Sequence, residues 1–177
     1  MTTLNGLPAH ILLVHAIVVL LPLAGVLLVA CAYLPAARRR LAGLNALLSV
    51  FVLGLVPVTT NAGEWLQTRV RATDLVRRHA ERGDTAVVVA LPIAVLALVV
   101  WWRERESRSA AAVSTAPVRR TFLAPASAAV GLTIAALSVL AAGAAGIDVY
   151  LIGDSGAKAT WQGQFTATPN PGSSGGG

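Results

Sequence analysis

The chain has 177 residues, of which 55% are hydrophobic and only 12% charged, with a mean hydropathy of +0.69 and a net charge of +6. Soluble domains carry about 25% charged residues, so this composition excludes an ordinary water-soluble globule and makes lipid the solvent. Thirteen of the fourteen basic residues are arginines placed beside apolar runs, which reads as orientation in a membrane and not as nucleic-acid binding.

Four runs are long enough to cross a bilayer, which takes about 17–25 apolar residues. They cover about 11–34, 41–59, 85–102 and 122–147, and each is free of Asp, Glu, Lys and Arg. A backbone in hydrocarbon must satisfy its own hydrogen bonds, so each run is predicted to be a helix. The first contains Pro22, a predicted kink, and ends at the stretch PAARRR. Residues 1–37 hold no Lys or Arg, unlike a secretory leader, so the first run is read as a retained span. Cys31 is the single cysteine, which excludes an intrachain disulfide and a C-x-x-C-H haem attachment.

The second connection, AGEWLQTRVRATDLVRRHAERGD, has no proline. Trp65, Arg69, Ala72, Val76 and His79 recur at intervals of three and four, which predicts one amphipathic interfacial helix. Asp74 and Arg78 stand at i,i+4 with opposite charge. The fourth run repeats small residues, with Ser138, Ala142 and Gly146 on one face and Gly131 and Ala135 on another, a pattern that lets helices approach closely. Gly153 and Gly156 bracket Asp154 and Ser155 and predict a tight turn beyond that span. The final stretch, 162–177, is of low complexity and is predicted to be disordered.

Connections one and three hold eight basic residues and the rest of the chain six. That excess predicts both termini outside and connections one and three inside, with Trp101 and Trp102 in the inner interfacial belt. The hard-to-explain polar residues then gather at the outer end: His10, His15, Glu64, Trp65, His79, Asp148, Asp154 and Trp161. His10 and His15 are five residues apart, about 140° and 7.5 Å on a helix, so they cannot face one site together. One of them is expected to pair with His79, and His15, the deeper, is the stronger candidate because polar groups within a membrane are costly. No P-loop, dinucleotide fingerprint, nucleophile elbow or cysteine zinc pattern is present, so no enzyme motif stands out.

Four stretches together resemble the DUF2231 family of bacterial multi-pass membrane proteins: GLPAHILLVHAIVVLLPL at 6–23, TTNAGEWL at 59–66, VRRHAERGD at 76–84 and VYLIGDSGAKATW at 149–161. The family pattern places histidines at His10, His15 and His79, and usually a fourth where this chain has Asp154. The resemblance implies a redox subunit of the bacterial inner membrane that binds haem b through His15 and His79, or one transition-metal ion with His10 and Asp154 as further ligands. Trp65 and Trp161 would cover the site, and Glu64 would support it. Its implied partner, besides the lipid bilayer, is a Rieske-type or cytochrome domain; self-association into a homo-oligomer is left open. The competing reading is a structural or accessory protein whose histidines finish helix ends. The fold expected on either reading is an all-α integral membrane four-helix bundle over 1–161, with the additional amphipathic helix between the second and third spans.

Overall fold

The computed structural model describes residues 3–4, 6–112 and 127–163. A short antiparallel ribbon, β1 (Thr3–Leu4) with β2 (Leu7–Pro8), leads into five helices. These are α1 (Ala9–Tyr33), α2 (Pro35–Gln67), α3 (Asp74–Gly83), α4 (Ala86–Ala112) and α5 (Ala128–Trp161). Four helical stretches are long and apolar enough to cross a membrane: α1, α2, α5 and the stretch from Asp74 to Ser109. In that last stretch the apolar run begins with α4, after the charged α3.

Helix α1 meets α2 across the single residue Leu34, which is extended at φ −104° and ψ 109°. Proline disfavours helical geometry in the residue before it, so Pro35 breaks the helix at Leu34. At the first position of α2, where an N–H would lack a helical partner anyway, a proline is at no disadvantage. PAARRR, expected as a connection, is therefore the first turns of α2. Helix α2 also outruns the expected limit near residue 59. The hydroxyls of Thr59 and Thr60 donate back to the carbonyls of Leu55 and Pro57, at 2.9 and 3.1 Å, so these residues stay helical.

The single amphipathic helix expected over 62–84 is two pieces, the end of α2 and the ten-residue α3. Residues 68–73 between them are not helical, so the face from Trp65 to His79 does not exist as one stripe. Thr73 caps α3 by accepting from the Val76 N–H at 3.2 Å. Arg77, and not Arg78, takes up Asp74 (3.5 Å), and it also pairs with Glu81 (3.4 Å). Helix α5 runs without interruption to Trp161, so the turn expected at Gly153 and Gly156 is a continuous helix. The expected start of the fourth span, residues 122–126, and the tail from 164 onward lie outside the described residues.

The long helices pack in the order α1–α2–α4–α5, with α5 closing back on α1, and α3 lies against α5. The inward positions recur at about 3.5 residues, the spacing of interlocking helices. On α1 they include Leu21, Ala24, Leu28 and Cys31, and on α4 Ala86, Ala90, Ile93, Ala97 and Val100. On α2 the face includes Asn45, Ser49, Val52, Val56 and Thr59, and on α5 Ala135, Ser138 and Ala145. Many of these residues are small or weakly polar, while large apolar residues such as Leu44, Leu47, Val88, Leu132 and Leu140 face outward, each more than half exposed. A protein in water does not present such a surface, whereas in lipid small residues inside and large ones outside is the expected arrangement. A Cβ on Gly25 would lie 3.2 Å from Ala142 Cβ, so α1 and α5 touch almost backbone to backbone. Asn45, 1% exposed, ties α2 to α1 when its amide faces the Ala24 carbonyl and the Leu28 N–H, both at 3.2 Å.

The two ends of this assembly differ in chemistry. At one end Glu104 of α4 pairs with Arg38 of α2 (3.4 Å) and with Arg108 (2.9 Å), and Arg108 also reaches the Arg39 carbonyl. At the other end all three histidines are found, and Thr85 donates to Asp148 at 2.6 Å, joining the start of α4 to α5.

Candidate functional site

His10 stands in the first turn of α1, where the chain arrives beside the far end of α2. Its Nδ1 is 2.9 Å from the Thr59 carbonyl. A carbonyl can only accept, so His10 donates from Nδ1, which in the neutral ring puts the lone pair on Nε2. The imidazole lies on Gly63, where a Cβ would come within 2.8 Å of Cε1. Only glycine leaves room for the ring at that distance.

His79 reaches the same place from α3. Its Nδ1 is 3.0 Å from Ser155 Oγ, and that hydroxyl donates to the Ile152 carbonyl at 2.8 Å. The hydroxyl proton is thus committed, and the oxygen accepts from His79 Nδ1–H. This ring too rests on a glycine: a Cβ on Gly156 would stand 3.0 Å from its Cε1. Both imidazoles are therefore oriented alike by their neighbours, each donating Nδ1–H and, in the neutral ring, carrying its lone pair on Nε2. The ring centroids are 6.4 Å apart and the planes are inclined at 74°.

The pair borders a cavity of about 50 Å³, otherwise lined mainly by apolar side chains such as Val14, Ile17, Val56 and Ile152. Burial holds the His79 pKa below the ordinary histidine value of 6.5; the neighbouring His10 adds to this, and the Ile152 backbone opposes it. His79 is consequently neutral near pH 7, the form that binds metals.

The other sequence candidates are dispersed. His15, the preferred partner of His79 in the sequence reading, is exposed, and its Nδ1 bonds back to the Ile11 carbonyl one turn earlier at 2.6 Å. The structure places His10 beside His79 instead, because five residues of helix turn His15 away from that face. Asp154 pairs with Lys158 at 2.7 Å. Glu64 is exposed, Trp161 is 61% exposed, and Trp65 carries the Arg69 guanidinium 3.8 Å from its ring centroid. Among the described residues no group of three or more His, Cys, Asp or Glu side chains is placed to hold a metal ion. The supporting residues that sequence reasoning missed are Thr59, Gly63, Ser155 and Gly156. Their signal was glycine one helical turn after a hydroxyl-bearing residue in TTNAG, and directly after one in DSG.

The two imidazoles, 6.4 Å apart by centroid, are the ring-nitrogen groups in the lining of this cavity. A cavity of about 50 Å³ takes an ion and a water or two, since a single water needs at least about 10–15 Å³. Pockets for cofactor-sized molecules run from about 300 Å³ upward, well above the space between these rings as they stand.

Comparison with known proteins returned no matching family model, no similar curated protein and no similar solved structure. Four apolar helices of membrane-crossing length are the architecture of a multi-pass membrane protein, and the histidine pair is its most developed candidate site.

Proposed function

We propose that this membrane protein holds a single transition-metal ion between His10 and His79, and that the ion equips it as a membrane redox subunit. The observation that carries the reading is the matched state of the two rings: each donates Nδ1–H to a fixed acceptor and keeps Nε2 free. Metal-ligating histidines are oriented by that kind of bond. Two imidazoles without a carboxylate or thiolate suit copper best, which leads the first-row metals for nitrogen donors. Asp154, His15, Glu64, Trp65 and Trp161 are not ligands in this reading. The resemblance to DUF2231 proteins, the placement of the histidine end outside a bacterial inner membrane, and a Rieske-type or cytochrome partner belong to the same proposal.

A second reading has its own observation. The His10 bond joins α1 to α2 and the His79 bond joins α3 to α5, so both side chains also serve as staples of an accessory protein without a cofactor. Metal analysis of the detergent-purified protein, followed by copper titration, separates the two. The redox-subunit reading expects about one ion per chain, lost at least tenfold in affinity in both His10→Ala and His79→Ala and retained in His15→Ala. Reduced-minus-oxidised spectra should show no haem Soret band. Folded protein that binds no ion, or loses it equally in His15→Ala, leaves the stapling role.

A further inference from the structure

At the opposite end from the histidines a larger cavity, about 320 Å³, opens between α2 and α4. Arg39 and Arg40 project from the first turns of α2, and Arg105 and Arg108 from α4. Among the described residues the one acidic side chain in the lining is Glu104, and it is already engaged by Arg38 and Arg108. Nearby, Glu106 accepts from Trp102 Nε1 at 2.9 Å. Among the described residues no carboxylate pairs with Arg39, Arg40 or Arg105. Trp101 forms part of the wall, packed within 3.4 Å of where a Cβ on Gly43 would be, with Arg105 5.8 Å above its ring.

We infer that this cavity binds a phosphate-bearing anion, and that the anion is the headgroup of an acidic phospholipid. Guanidinium groups bind phosphate oxygens in pairs, and a basic recess between helices at a membrane surface is a headgroup site by chemistry. Three of the cavity's four arginines are left to balance a ligand once Glu104 is satisfied. The lipid source is favoured over free phosphate by the wall below. Leu44 lines the cavity and is 59% exposed, and Leu47 and Phe51 continue the same outward face of α2 at 69% and 56%. Leu98 and Val95 do so on α4. An acyl chain hanging from the headgroup runs along those residues. The site depends only on the membrane-spanning architecture and is independent of the metal proposal.

Native mass spectrometry of the full chain in mild detergent tests it, with phosphatidylglycerol, phosphatidylcholine and inorganic phosphate as separate probes. Wild-type protein should retain phosphatidylglycerol at least fivefold over phosphatidylcholine, a selectivity that needs no variant to be read. Arg40→Gln with Arg105→Gln should abolish the preference, while Arg103→Gln, outside the cavity lining, should keep it. Equal retention of the two lipids by the wild type overturns the site. So does a loss as large in Arg103→Gln as in the double variant. Protection by inorganic phosphate as strong as by phosphatidylglycerol, sensitive to the same two arginines, keeps the anion site and overturns the lipid as its source. Neither Arg40 nor Arg105 takes part in an ion pair among the described residues, so the double variant should fold; a single Arg40→Gln gives the same test with half the charge removed.

Discussion

Gly63 and Gly156 are the residues on which the histidine pair rests. An alanine at Gly63 would place its Cβ 2.8 Å from the His10 ring and push it off the Thr59 carbonyl. Alanine is favoured over glycine inside a helix by about 1 kcal/mol, and one lost hydrogen bond costs about the same. Gly63→Ala should therefore leave the melting temperature within a few degrees of wild type while copper affinity falls about 10–100-fold, the usual effect of disturbing a ligand's orienting partner. Thermal unfolding and copper titration on one preparation check this; unchanged affinity would mean that the ring's seat on Gly63 does not matter. The sequence showed that two histidines five apart could not share a site. It could not say which one faces inward, because that depends on where the helix starts. The start at Ala9 puts His10 within the first regular turn of α1.

Among the helices, existence was legible and extent was not. Hydropathy located all four long helices, since a run without charge has one outcome in lipid. The ends depend on hydroxyls and glycines whose helical use shows only in three dimensions: Thr59 and Thr60 fold their side chains back onto α2, and Gly153 and Gly156 are simply helical. Of the small residues expected to pack in the fourth run, Ala135 and Ser138 are buried and Ala142 meets Gly25, while Gly131 has open space and Ala145 is buried in addition. Gly146 too has open space where its Cβ would be. Gly25→Leu should force α1 from α5 and lower stability by about 1–3 kcal/mol, the range for overfilling a packed interface. Gly54→Leu, at a position with nothing within 4 Å, should be nearly silent. Thermal unfolding in detergent compares them, and equal melting temperatures would deny the close α1–α5 contact.

Across the whole molecule, stability should depend on acid through His79. Its folded pKa lies below 6.5, so the unfolded chain takes up a proton more readily than the folded one. The contribution of His79 is complete above about pH 6.5 and is lost as the pH falls toward and through its lowered folded value. The metal-free protein should melt at progressively lower temperature from pH 7 to 5. His79→Gln should show a flatter profile over the same window, and parallel profiles would place the acid sensitivity in other groups. That all three histidines fall at one end of the helices and Arg38–Arg40 at the other follows from their order along the chain. The Arg38–Glu104 pair does not, because it links α2 to α4 across 66 residues.

The inward placement of small side chains has a consequence for inheritance as well as for folding. At Leu47 or Leu140, any lipid-soluble residue meets the same hydrocarbon, so drift among leucine, valine and phenylalanine passes unnoticed. At Ala24 or Ala90, at most 1% exposed, a leucine would look harmless by hydropathy and yet wedge two helices apart. A hydropathy profile therefore gives no warning of the substitutions these helices tolerate least.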